Sequence, residues 1–268
     1  MQGADSRMLI QLLTPKHIPG LQMERWGSEA DGGYVVPPHI MRGVSALLTG
    51  GIGDNVEFEA EVARRVPSVH IALFDHTVAS LPEHAPSSAK WYKEGLGCRP
   101  GFLTLEGAAE RAGIQPHQPI ALKLDIEGAE WELLDGTSES FWKRVSILVI
   151  EFHHLNDKTQ WHRYARLLRK LEPHLLAIHV HGNNHDSTVH FSRQGVYVPI
   201  TLELTYVNRS LLPNSITPVP WSVPGPTALD RPNRRGVPDL PLNYWFPQHG
   251  VFFRRLKKNV GRMLHLRA

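Results

Sequence analysis

The feature that most constrains the fold of this chain is a series of short, apolar, β-branched-rich runs that each stop at a glycine or an acid. Val145-Ser-Ile-Leu-Val-Ile150 ends at Glu151, Ile120–Leu124 at Asp125, Val69–Phe74 at Asp75, and Val44–Thr49 at the turn Gly50-Gly-Ile-Gly53. Runs of this kind, apolar on both faces, belong to strands covered from two sides. Stretches at helical spacing separate them, notably 56–66, 103–112, 130–134 and about 157–171. Strand–helix alternation predicts a mostly parallel, Rossmann-like α/β sheet with helices on both faces. Further strands are expected at 174–180 and around Thr201-Leu-Glu-Leu-Thr205.

One domain over 1–268 accommodates this pattern. Residues 1–43 form a lead-in, and 212–268 an irregular, proline-rich extension closing in a basic helix. That tail, from Arg254 to Arg267, carries six basic residues and no acid. It reads as a solvated helix or as a surface for phosphates or anionic lipid. Net charge is only +3, and no apolar run approaches the ~20 residues that span a bilayer. The first residues lack a signal-peptide pattern. The single cysteine, Cys98, precludes an internal disulfide, so a reducing, cytoplasmic setting is expected. A small-molecule acceptor, no nucleic acid and a homodimer complete these expectations.

Parallel strands bring their C-terminal ends to one edge, where ligands bind in open α/β sheets. That edge gathers Gly51 and Gly53, Asp75, Asp125 with Glu127, Glu151 with His153 and His154, and His181 with Asn183 and Asn184. The glycine turn is a shortened dinucleotide fingerprint, with Glu57 where a third glycine would fall. Asp75, 22 positions beyond Gly53, suits a grip on ribose hydroxyls. No Gly-Lys-Ser/Thr is present to cradle phosphates. A ribose acid without a pyrophosphate grip points to S-adenosylmethionine rather than NAD. The bland alternatives are a tight turn, an exposed aspartate, and Glu127 or Glu130 merely favouring a helix start.

The strings Gly51-Ile-Gly53, Phe74-Asp75, Lys123-Leu-Asp-Ile-Glu-Gly-Ala-Glu130, Ile150-Glu-Phe-His-His154 and His181-Gly-Asn-Asn184 resemble the FkbM-type S-adenosylmethionine-dependent methyltransferases. Asp31-Gly-Gly-Tyr34 and Leu229-Asp-Arg-Pro-Asn233 fit the same group, over about residues 30–235. The resemblance implies a class I methyltransferase fold and methyl transfer to a hydroxyl of a sugar or natural product. It also implies that Gly51 and Gly53 lie under the cofactor's methionine end, that Asp75 holds its ribose, that Asp125 borders the transferred methyl and that Tyr34 closes over the cofactor.

A sugar hydroxyl is a poor nucleophile at neutral pH and needs a base or a metal. Two arrangements offer this. In one, Asp125, Glu151 and His181 hold a divalent cation such as magnesium, as some related sugar methyltransferases do. In the other, His153 or His154 removes the proton, with Glu127 a further candidate catalytic residue. Glu203, mid-strand, is a structural or substrate-binding carboxylate. The competing class is a metal-dependent α/β hydrolase or a non-catalytic binding protein using the same cluster. A nucleic-acid methyltransferase has only the basic tail in its favour.

Overall fold

The computed structural model describes residues 2–185, 189–191, 197–212, 219–220, 226–240 and 242. The basic tail lies outside the described residues, as does the terminal helix expected there.

A seven-stranded sheet dominates. Its strands are β1 (Ala46–Gly50), β2 (His70–Phe74), β3 (Ala89–Tyr92), β4 (Ile120–Leu124), β5 (Val145–Phe152), β6 (Leu175–Gly182) and β7 (Leu202–Asn208). Their spatial order is β3-β2-β1-β4-β5-β7-β6. The pairs β1·β2, β1·β4, β2·β3 and β4·β5 are parallel. β7 enters the sheet antiparallel to both β5 and β6. The four largely apolar runs read from the sequence are β1, β2, β4 and β5, each buried along most or all of its length.

Two cores sandwich the sheet. On one face α1 (Gln2–Leu13), α3 (Leu105–Arg111), α4 (Glu130–Gly136), α5 (Glu139–Arg144) and α6 (Trp161–Leu171) bury Leu9, Leu105, Trp131, Phe141 and Trp161 against Leu48, Leu122 and Ile150. On the other, α2 (Glu57–Arg65) and an N-terminal hairpin, Glu24–Gly27 with Gly33–Val36, bury Phe58, Val62, Trp26 and Tyr34 against Leu47, Ile71 and Val149. Strand residues thus alternate between the cores, as the twofold pleat requires.

Local chemistry sets the helix starts. The Thr104 hydroxyl accepts the Gly107 N–H at 3.2 Å and caps α3. Asn55 accepts the Glu57 N–H, although the boundary residue itself is Val56. One boundary differs. Asp157 spends its carboxylate on a local turn to Thr159, so α6 begins only at Trp161.

Candidate active site

The carboxyl ends of β1, β2 and β4 open onto a cavity of about 400 Å³, lined in part by Gly51, Asp75, Gly95, Asp125, Glu127 and His154. Of the glycine turn after β1, Gly51 lines this cavity. A Cβ on Gly51 would meet the Asp125 carbonyl oxygen at 1.6 Å, and its φ is +77°, so only glycine fits between β1 and β4. Gly53 also has positive φ, but space for a Cβ is open there.

Asp75 secures this turn. One carboxylate oxygen accepts the Ile52 N–H at 2.9 Å and the Gly53 N–H at 3.1 Å. The other accepts the Thr77 N–H at 2.7 Å and the Thr77 hydroxyl at 2.6 Å. Burial works against the charge, but these bonds outweigh it and hold the carboxyl below its usual range. All the acceptor positions of a carboxylate are thereby engaged.

Opposite Asp75, Lys123 lies almost fully buried in β4, with its ammonium 3.2 Å from the Gly51 carbonyl and 3.6 Å from Glu59. The Thr49 hydroxyl donates to the same Glu59 oxygen at 3.0 Å. Burial depresses the Lys123 pKa, yet Glu59, Asp125 and Glu151 more than offset it. A lysine inside an otherwise apolar strand run is the sequence signal for such pairing. Sequence reasoning about the site misses both Lys123 and Glu59.

Beyond β4 the chain turns through Asp125, Ile126 and Glu127. Glu127 has φ +55° and His154 φ +62°, left-handed conformations that ordinary residues avoid. They flank the same cavity. His153, on the loop after β5, brings the groups together. Its Nδ1 lies 3.0 Å from Glu130 Oε1. Its Nε2 lies 3.5 Å from Glu127 Oε2, and 3.9 Å from both Asp125 Oδ1 and Glu151 Oε1. Burial pushes His153 down, but the Glu130 bond and the surrounding carboxylates prevail and its pKa is raised. Asp125 lines the cavity and keeps 30 % of its side-chain surface open. Desolvation raises its pKa to about 6, against the opposing pull of Lys123 and His153. Glu151 is raised well above a normal carboxyl by burial, Asp125 and Glu203.

Glu130 does more than favour a helix start. It is fully buried, and the same oxygen that meets His153 also accepts the Ile126 N–H at 2.8 Å. Nothing in its spacing marks it apart from the Lys123–Glu130 string itself.

The ligand set expected for a cation, Asp125, Glu151 and His181, is not brought together. His181 Nδ1 faces Glu203 at 3.0 Å, and Nε2 faces both Asp239 oxygens at 2.9 and 3.1 Å. Burial disfavours its charge, but these two carboxylates raise its pKa to about 10, and they engage both of its ring nitrogens. Glu151 accepts the Asn183 amide at 2.6 Å. The group that does converge is Asp125, Glu127 and His153, whose ligand atoms all lie within 4.8 Å of one another.

Glu203 on β7 stands opposite Glu151 of β5 and His181 of β6. It also accepts from Asn233, which reaches Asp31 as well. Asp239, Asn233 and Asp230 thus clasp the segment 226–240 to the sheet, Asp230 through His179 at 3.1 Å. His185 is exposed, and the side chain of His190 is outside the described residues. Tyr34 does not line the cavity; its ring meets Phe58 edge-on, 5.6 Å from the Lys123 ammonium.

A model of the methyltransferase FkbM domain matches residues 49–186. Nothing among curated proteins matches the chain. Similar solved structures include a precorrin-6y C5,15-methyltransferase from Geobacter metallireducens GS-15, 8 % identical, with 63 % of this chain and 86 % of that one covered at TM-score 0.34. A predicted O-methyltransferase, Atu636 from Agrobacterium tumefaciens, is 12 % identical over 65 % and 81 % at TM-score 0.35. A point mutant of the 16S rRNA (adenine(1408)-N(1))-methyltransferase from Catenulisporales acidiphilia is 11 % identical over 69 % and 97 % at TM-score 0.31. The family match spans just over half of the chain and includes the glycine turn, Asp75, the Lys123–Glu130 string and His153. The chain therefore belongs to the FkbM methyltransferase family and has a mostly parallel α/β methyltransferase fold.

Proposed function

We propose that this methyltransferase uses S-adenosylmethionine to methylate a hydroxyl oxygen of a small, hydroxyl-rich acceptor of the saccharide class, with His153 as the general base. The observation that carries the reading is the His153 environment. Glu130 engages Nδ1, which leaves Nε2 turned toward the acids that border the cavity. A neutral imidazole held in that tautomer can accept a proton at Nε2, and the carboxylates around it stabilise the resulting imidazolium.

The cavity suits this cofactor. Gly51 in its lining admits no side chain, and Asp75, Asp125 and Glu127 line it with acid. When bound, S-adenosylmethionine supplies an electrophilic methyl group on a positively charged sulfonium, and an acidic wall favours such a cation. Asp75 would meet the ribose by giving up a bond to Thr77. Asp125 borders both the cavity and His153, so it stands where donor and acceptor sides meet. Positioning supplies most of the acceleration of such an in-line transfer.

A second reading has its own observation. Asp125, Glu127 and His153 are spaced for a hard divalent cation such as magnesium. Glu130 would then be the hydrogen-bond partner that a histidine ligand commonly has on its other nitrogen. The two readings exclude each other at Nε2, which either takes the proton or holds the ion.

Among the described residues no helix is long and apolar enough to cross a membrane. The lone Cys98 keeps the proposed setting cytoplasmic. Calorimetric titration of S-adenosylmethionine, followed by a screen of sugar acceptors for release of S-adenosylhomocysteine, tests the function. Cofactor binding with turnover on a polyhydroxylated acceptor supports it; an unresponsive protein, or a methylated nitrogen, opposes it.

A further inference from the structure

Two buried charges of opposite sign grip the glycine turn from its two ends. The Lys123 ammonium meets the Gly51 carbonyl at 3.2 Å, while Asp75 takes the N–H groups of Ile52 and Gly53 at 2.9 and 3.1 Å. The peptide between Gly51 and Ile52 therefore has its oxygen on a cation and its N–H on an anion. Glycine itself resists neither of the alternative backbone conformations at position 51, so the turn's shape rests on its partners: these two charges and the Phe74 carbonyl, which accepts the Gly51 N–H at 2.9 Å. Lys123 is also the contact by which Glu59 of α2 and Tyr34 of the N-terminal hairpin bear on the turn.

We propose that Lys123 is a positioning residue for cofactor binding, holding the Gly51–Gly53 turn in its receptive shape through the Gly51 carbonyl. This rests on the reading of the cavity as a S-adenosylmethionine site. The competing role is plain charge neutralisation of Glu59, which is fully buried and leaves one oxygen without a hydrogen-bond partner among the described residues.

Two variants separate the roles. Lys123→Met removes the carbonyl contact but strands the Glu59 charge, so it is expected to lose stability. Lys123→Met with Glu59→Gln removes both charges and restores much of the melting temperature. Lys123 as positioning residue predicts that this double variant still binds S-adenosylmethionine about tenfold or more weakly than the parent, the scale of a lost hydrogen bond to a charge. It also predicts faster amide exchange at Ile52 and Gly53 in the cofactor-free protein. A folded double variant with parental affinity and parental exchange at those amides overturns the proposal. If the parent binds no S-adenosylmethionine, the cofactor reading falls and the positioning role with it, while exchange at Ile52 and Gly53 still decides whether Lys123 holds the turn.

Discussion

Glu130 Oε1 and His153 Nδ1 lie 3.0 Å apart, a carboxylate at the start of α4 steering an imidazole from the loop after β5. The pair joins residues 23 positions apart in the chain, and it leaves His153 Nε2 to face the acids at the cavity edge. With His153 as base, Glu130→Gln has two effects. Loss of the carboxylate removes the main influence raising the His153 pKa, while burial continues to lower it. The neutral form then appears at lower pH. The acidic limb of the kcat–pH profile moves to lower pH while the plateau falls, and a profile shape equal to the parent's contradicts the pairing.

Removing divalent ions discriminates the proton-accepting from the ion-holding role of His153. The base reading predicts that prolonged treatment with a chelator leaves kcat unchanged and that added magnesium does nothing. Loss of activity restored by magnesium, together with loss of that rescue in Glu127→Gln, assigns the cluster to a cation instead.

His181 ties stability to pH in a defined direction. Its pKa rises from an ordinary 6.5 to about 10 on folding, so its contribution is complete below pH 6.5 and is lost as pH climbs through 10. Between those limits the slope is about 1.4 kcal/mol per pH unit from this one group. Urea titrations at pH 7 and 9 are expected to show the parent losing stability from this source. Asp239→Asn, which withdraws one of the two carboxylates, flattens that dependence. An unchanged slope in Asp239→Asn excludes the clasp as its origin.

The two glycines of the turn differ in what they tolerate. Gly51→Ala drives a Cβ into the Asp125 carbonyl and is expected to cost more than about 3 kcal/mol or to abolish folding. Gly53→Ala meets open space and is expected to cost about 1 kcal/mol, for backbone strain alone. Equal costs in chemical denaturation contradict the packing described.

The sheet was legible where strands are apolar on both faces. Val145–Ile150 and Ile120–Leu124 need no partner to be recognised, and their ends located Asp125 and Glu151. Strand direction was not legible. The alternation at Thr201–Thr205 marks β7 as a strand but cannot say that it runs backwards between β5 and β6, which is why Glu203 meets both Glu151 and His181. The surroundings of His181 were not legible for a related reason. Its partner Asp239 arrives from 58 positions downstream, out of a proline-rich stretch whose path no local periodicity encodes. Glu130 was hidden in the opposite way, since an acid in a helix's first turn has an ordinary explanation.

The most direct test follows a labelled methyl group from S-adenosylmethionine in the presence of sugar acceptors, comparing the parent with His153→Gln. The account predicts a methyl ether formed by the parent. It predicts that His153→Gln binds the cofactor with parental affinity but turns over about 10²- to 10⁴-fold more slowly. Parental turnover by His153→Gln, or label recovered on nitrogen, contradicts it.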